Sequence, residues 1–157
     1  MQLINNEILT PPTGIVVLDF FNVITKKHDI IKVKNMFVTA GKVSIASRLR
    51  GTTSDNKGEI NWCALGTSAV APALSDTDLV AELYRKQISV RSFLANVATF
   101  QTFFTTEEAN GTLREAGLFG DDASSTPGSG TLFCRTAINR TKTSNDTLSL
   151  TWSVTIG

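Results

Sequence analysis

The ten residues TLSLTWSVTI, at positions 147–156, decide the fold. Apolar side chains alternate with threonine or serine at every step, and the apolar set is Leu148, Leu150, Trp152, Val154 and Ile156. Successive side chains of a strand point to opposite faces of a sheet, so a strict period of two predicts a half-buried strand. The indole ring of Trp152 is therefore expected in the core.

Runs of β-branched and aromatic residues upstream predict further strands. The predicted strands cover residues 15–25, 30–34, 60–65, 87–90, 96–105, 112–119 and 131–138, with a hairpin turn at 26–29. Residues 79–85 fit either a strand or one helical turn. Loops are predicted at 51–58, 66–78 and 120–130, because turn-forming residues dominate or interrupt these stretches.

One helix is predicted to begin near Thr39 and to end near Arg50. Val43, Ala46 and Leu49 recur at helical spacing, so we expect them to form the buried face of a helix that covers the sheet. Many strands and one short helix predict a mainly β fold, an antiparallel β-sandwich or jelly-roll-like domain. The 157 residues suffice for a single domain, residues 1–157, with a short N-terminal arm at 1–13.

The charge pattern argues against a nucleic-acid partner. The chain has 15 basic and 14 acidic residues, only 18% of its residues are charged, and no basic run exceeds two residues. A nucleic-acid-binding protein concentrates positive charge on one face. A weakly charged surface rich in threonine and serine instead suits burial against other subunits.

The N-terminal sequence predicts neither secretion nor membrane insertion. Residues 1–10 lack a basic segment followed by a long apolar stretch, and the apolar run at 14–21 is short and contains Asp19. We therefore expect a protein that is made in soluble form in the cytoplasm without a signal peptide.

The sequence contains few candidate residues for nucleophilic catalysis. The single histidine, His28, is predicted to lie solvated in the first hairpin turn. Cys63 and Cys134 each lie in an apolar run without a neighbouring base, so buried free thiols are the favoured interpretation. A disulfide that joins two strands is the alternative.

Acidic residues offer the remaining candidates for chemistry. The densest carboxylates, which could supply a glycosidase pair, are Glu107, Glu108, Glu115, Asp121 and Asp122. Glu107 and Glu108 precede the turn dipeptide Asn110-Gly111, so we expect them to be solvated turn residues. Arg114 and Glu115 together predict either an ion bridge at a sheet end or solvent-facing alternation.

Motifs for metal ions and phosphates are incomplete. Asp76, Asp78 and Glu82 resemble an oxygen-ligand loop for calcium, but the central glycine is missing and Ser75-Asp76 favours a helix cap. The run Gly128-Ser129-Gly130 lacks the lysine of a phosphate loop. We therefore expect no catalytic, cofactor-binding or metal-binding residues, and a protein that is not an enzyme.

Several stretches together are similar to a family of phage virion proteins. They are NMFVTAGKVSIASRLRG from Asn35, WCALGTSAVAPALSDTDLVAELYRKQI from Trp62, FFTTEEANGTLREAGLFG from Phe103 and GTLFCRTAINRTKTSNDTLSLTWSVTI from Gly130. The segment Glu-Ala-Gly-Leu-Phe also resembles N-terminal domains of tail-collar fibre proteins. The resemblance runs from Asn35 to Ile156.

The resemblance implies a structural protein of the virion, in the tail fibre, the baseplate or the capsid surface. It implies a homo-oligomer, with a trimer favoured, that also binds other virion proteins. The sequence has no fibre shaft or receptor-binding tip, which favours a short attachment or decoration subunit. The alternative is a carbohydrate-binding β-sandwich that recognises host-surface glycans through Trp62 or Trp152; a polysaccharide depolymerase would need a carboxylate pair.

Overall fold

The computed structural model describes residues 13–49 and 59–156. The elements are β1 (Thr13–Asn22), β2 (Lys27–Phe37), α1 (Thr39–Leu49), β3 (Ile60–Gly66), β4 (Glu82–Gln87), β5 (Val90–Leu94), β6 (Val97–Phe104), β7 (Gly111–Gly120), β8 (Thr131–Lys142) and β9 (Asp146–Thr155). The predicted arm at 1–13, apart from Thr13 in β1, and the predicted loop at 51–58 lie outside the described residues.

All nine strands form one antiparallel sheet in the order β4-β3-β7-β8-β2-β1-β9-β6-β5, curled into a half-barrel. Strand β2 joins its two halves. It pairs with β1 through most of its length, and at its end Met36 and Phe37 pair with Arg135 and Cys134 of β8. The predicted mainly β, sandwich-like fold with one short helix is confirmed.

Strand β9 lies inside the sheet and follows the predicted alternation. Leu148, Leu150 and Trp152 are fully buried, and they pack in the main core beneath the curled sheet. Ile156 was expected on the same buried face, which is wrong: it lies beyond the end of β9 and is 44% exposed. Its backbone N–H donates to the carbonyl of Asn96.

The first hairpin turns earlier than predicted. The Asn22 side-chain oxygen accepts hydrogen bonds from the backbone N–H groups of Ile24 and Thr25, at 3.1 and 2.9 Å, and Lys26 has a φ of 58°. An asparagine that folds its own backbone in this way initiates a turn. The turn therefore occupies 23–26 instead of 26–29, and His28 is a strand residue.

The predicted limits of α1 are confirmed, but its buried face is not the predicted one. Val43 is 62% exposed and Ala46 is also exposed, whereas Gly41 and Ser44 are buried. The side chain of Leu49 is not among those that the structure describes. A Cβ on Gly41 would lie 2.7 Å from the Cα of Phe133, so glycine lets the helix approach β8 closely.

The chain between β4 and β6 departs most from the prediction. The ambiguous stretch at 79–85 enters strand β4, and the predicted strand at 87–90 is wrong because Ile88 and Ser89 interrupt it. The N–H of Ile88 donates to Asn61 of β3, and that of Ser89 donates to Gln101 of β6. These two residues carry the chain from one edge of the sheet to the other, where the unpredicted strand β5 begins.

The other predicted strands and loops agree with the structure in their placement. The predicted strands at 60–65 and 112–119 correspond to β3 and β7, and β8 continues beyond the predicted end at 138. Within residues 13–49 and 59–156, no helix combines the length and the apolar character needed to cross a bilayer.

Candidate assembly surface

The histidine and cysteine candidates are engaged in local packing. His28 Nδ1 lies 2.8 Å from the Asp19 carboxylate, and its ring packs against Phe21. Cys63 and Cys134 are buried free thiols, as favoured from the sequence, so the disulfide alternative is wrong. Burial raises the pKa of Cys63 to about 12, against weaker opposing hydrogen bonds, and also raises the pKa of Cys134. Both thiols are therefore protonated at neutral pH.

A buried ion cluster fastens the long connection at 67–81 to the sheet. Arg135 is fully buried, and its guanidinium lies 2.7 Å from Glu115 and 2.6 Å from Asp76. Glu115 also accepts the backbone N–H groups of Val80 and Ala81, at 3.1 and 2.8 Å. Burial alone would raise the pKa of Asp76, but hydrogen bonds from Ala73 and Arg135 outweigh it and lower the pKa.

This cluster corrects two sequence predictions. The bridge predicted for Glu115 exists, but its partner is Arg135 on β8 and not the neighbouring Arg114. No helix follows Ser75 and Asp76, so the predicted helix cap is wrong; Asp76 accepts the N–H of Ala73 in a turn. Arg135 could not be identified from the sequence because the strand pairing of β7 with β8 brings it to Glu115.

The densest carboxylates of the sequence do not converge. Glu107 and Glu108 precede β7 while Asp121 and Asp122 follow it, and a ten-residue strand is roughly 30 Å long. Glu108 accepts hydrogen bonds from Lys86 and Tyr84, so it is paired rather than simply solvated, whereas Glu107 is exposed. Asp121, nearly buried, bonds Ser44 and Arg48 of α1.

The acidic residues considered for calcium are also held by different partners. Asp76 bonds Arg135, as described above, and Glu82 bonds Arg85. Burial, as the largest cause, raises the pKa of Asp78. Among residues 13–49 and 59–156, no three histidine, cysteine or acidic side chains are grouped as a metal site.

The sequence did not predict that Lys142 is buried. Lys142 is 1% exposed at the end of β8, and its ammonium group lies 2.8 Å from both the Thr105 carbonyl and the Asn110 side-chain oxygen. Burial lowers its pKa, against the opposing attraction of Asp146 and other acids. Lys142 closes the turn before β7, and its position at the end of a strand pattern gave no sign of burial.

The two tryptophans are not fully exposed. Trp152 is fully buried, as predicted, and the partly buried Trp62 packs against a second core cluster that contains Leu79 and Phe119. The Trp152 ring is therefore enclosed in the core, whereas the Trp62 ring is partly exposed.

Strand β5 carries the largest exposed apolar side chains in the described part of the chain. All five of its residues are exposed, with Phe93 at 81% and Leu94 at 82%. Strand β6 lies on one side of β5, and no strand within residues 13–49 and 59–156 lies on the other. The β5 edge, which we define as residues 90–94, therefore combines apolar side chains with backbone groups that no described strand pairs.

The register with β6 assigns the β5 side chains to two faces. Arg91 and Phe93 pair with Phe100 and Ala98, so they lie on the face of the core. Val90, Ser92 and Leu94 lie on the opposite, outer face, where β6 presents half-exposed Phe103. Arg91 bonds Glu59 at 2.6 Å in an exposed ion pair. Apart from Arg91, the β5 edge is uncharged.

No protein-family model, curated protein or solved structure matches this chain.

Proposed function

We propose that this chain is a non-enzymatic structural protein of a phage virion, which associates with copies of itself and with other virion proteins through the β5 edge. The observation that carries the proposal is the exposure of the whole strand, including Phe93 and Leu94. The setting in a phage particle rests on the motif resemblance of residues 35–156 to virion structural proteins.

An open sheet edge with exposed apolar side chains favours the addition of a strand from another chain. Unpaired N–H and C=O groups on an edge are a template for another strand, and proteins normally protect them with charge, proline or a covering loop. Arg91 is the single charged residue of the β5 edge, and Val90, Phe93 and Leu94 are apolar and exposed. Main-chain hydrogen bonds would supply affinity, and the alternate side chains would supply selectivity for the partner.

The geometry of the edge favours pairs of chains over the trimer suggested by family resemblance. Contact of a β5 edge with a second β5 edge is isologous and closes after two subunits. A ring of three needs contact between two different surfaces, whereas at the other edge of the sheet the Arg85 side chain ties strand β4 to the loop at 121–130. We therefore propose a dimer as the assembly unit, which attaches to the particle.

Incorporation into particles tests the proposal. Phages would be propagated with the wild-type chain, with Phe93→Lys or with Val43→Lys, a matched change at the exposed Val43 of α1. Purified particles would then be labelled with an antibody against the chain. We expect label on wild-type and Val43→Lys particles and weak label with Phe93→Lys.

Two outcomes would contradict different parts of the proposal. Unlabelled wild-type particles would refute a role in the virion. Equal labelling of wild-type and Phe93→Lys particles would refute attachment through the β5 edge.

A further inference from the structure

The turn after β5 shows which backbone groups of the edge are free. Strands β5 and β6 are joined through Ala95 and Asn96, and Leu94 pairs with Val97 across this two-residue turn. Residues that flank such a turn exchange backbone hydrogen bonds, and hydrogen-bonded pairs alternate with non-bonded pairs along an antiparallel ladder. The amide and carbonyl groups of Arg91 and Phe93 therefore point away from β6, toward the open edge.

From this we infer that two copies join their β5 strands antiparallel about a two-fold axis that passes through Ser92. The inference rests on the proposed self-association. It fixes the register: Arg91 of one copy lies opposite Phe93 of the other, and Val90 lies opposite Leu94. All the free backbone groups of Arg91 and Phe93 are then paired.

Symmetry limits the registers that a continuous sheet allows. A two-fold axis perpendicular to the sheet keeps the core face of both copies on the same side. Directly opposed residues must then share a face, so the axis passes through a residue and not between two residues. The central positions of β5 offer Arg91, Ser92 or Phe93.

The two other registers are inferior for identifiable reasons. An axis through Arg91 places two guanidinium groups directly opposite each other, and like charges in opposed positions destabilise a sheet. An axis through Phe93 places Arg91 opposite the turn residue Ala95, so its backbone groups lose a strand partner. It also places Leu94 opposite Ser92 and leaves Val90 beyond the paired strand.

The register through Ser92 gives every side chain of β5 a suitable neighbour. On the outer face, Val90 packs against Leu94 at two symmetric places. On the core face, each Arg91 guanidinium meets the Phe93 ring of the other copy, a cation–π pair. Arg91 lies at a cavity of about 420 Å³ that Phe100 and Ala98 also line, so the incoming ring covers an apolar mouth.

Single cysteines report this register directly. Opposed Cα atoms in an antiparallel ladder are about 4.5 to 5.5 Å apart, within the range that a disulfide spans. The full chain would carry Ser92→Cys, Arg91→Cys or Phe93→Cys, with the exposed helix variant Val43→Cys as the collision control. The native Cys63 and Cys134 are buried, and burial raises the pKa of both thiols.

Mild oxidation followed by non-reducing electrophoresis is the readout, with the solution mass measured on the same samples. We expect Ser92→Cys to form the covalent dimer at least about tenfold faster than the other three variants. Faster cross-linking of Arg91→Cys or Phe93→Cys overturns the register while the β5 contact stands. A dimeric mass without cross-linking at any β5 position overturns the inferred interface. A monomeric mass for the wild-type chain refutes the proposed self-association itself.

Discussion

The two edges of this sheet differ in how they are protected. At the β4 edge, Arg85 and Glu82 form a nearly buried ion pair, at 2.6 Å, and Arg85 also bonds backbone carbonyls of Ser124 and Ser129 in the loop at 121–130. At the β5 edge, the ion pair of Arg91 with Glu59 is exposed to solvent. At the β4 edge the arginine ties the strand to a loop of its own chain, whereas at the β5 edge the arginine lies at the surface beside exposed apolar side chains.

The difference shows that an arginine–glutamate ion pair can stabilise the fold at one edge of the sheet and remain exposed at the other edge. Arg85 lies over the ring of Phe119, at 4.5 Å, and holds a loop against the sheet. Arg91 keeps its guanidinium at the surface, where it is available to an incoming aromatic ring. Burial and hydrogen bonding, rather than the arginine itself, separate a structural contact from an interaction site.

The largest expected effect comes from breaking the buried ion pair at the β4 edge. Arg85→Met leaves Glu82 buried without its partner, and removing one partner of a buried ion pair costs about 3–5 kcal/mol of unfolding free energy. The matched variant Arg91→Met breaks only an exposed pair, worth about 0–1 kcal/mol. Urea denaturation at a concentration that keeps the chain monomeric measures both. Equal losses would show that the two edges are not protected differently.

The next effect concerns association through the β5 edge. Phe93→Lys places a charge where the second copy should pack, and we expect dimerisation to weaken by about 2 kcal/mol or more, roughly 30-fold. Sedimentation equilibrium measures the constant, and Val43→Lys controls for the added charge. An unchanged dimerisation constant would place the contact elsewhere on the surface.

Lowering the pH should loosen the loop at 121–130, which contacts β4, before it affects the strands next to β5. Burial alone would raise the pKa of Asp121, but hydrogen bonds from Thr131, Arg48 and Ser44 outweigh it and lower the pKa. A carboxylate with a lowered pKa stabilises the fold above its ordinary value of 3.8, and that stabilisation is lost as pH falls further. Asp121 begins the loop that the Arg85 side chain ties to β4.

Hydrogen exchange and acid denaturation test this order. As the pH falls below 3.8, we expect exchange in the loop at 121–130 to rise before exchange in β6. The stability difference between the wild-type chain and Asp121→Asn should narrow over the same interval. A constant difference for Asp121→Asn would mean that Asp121 is not the acid-sensitive contact.

The smallest effect is expected in the turn after β5. Ala95 has a φ of 52°, in the left-handed region that disfavours a side chain with a Cβ, so Ala95→Gly should stabilise the monomer by up to about 1 kcal/mol. Ala98→Gly, in strand β6, should instead destabilise it by roughly 0.5–1 kcal/mol. Thermal unfolding of the two variants gives opposite shifts if the backbone geometry is as described.

Strands with one buried face could be predicted from the sequence, whereas the strand with two exposed faces could not. Strand β9 was predictable because one of its faces is buried, which imposes a strict period of two on its residues. Strand β5 was not predicted because both of its faces are exposed. Its sequence therefore does not alternate between apolar and polar residues, and Val90, Ser92 and Leu94 on one face are of mixed polarity. Glu115 was recognised as part of a bridge, but Arg135 was not, since only strand pairing brings the two together.

The most direct test of the β5 contact is the absolute mass of the chain in solution, measured by light scattering over a range of concentrations. The wild-type chain is expected to approach twice its 16.9 kDa mass, and Phe93→Lys to stay at the mass of one chain under the same conditions. A wild-type chain that remains monomeric at high concentration, or a Phe93→Lys chain that dimerises equally well, would contradict the proposed β5 contact.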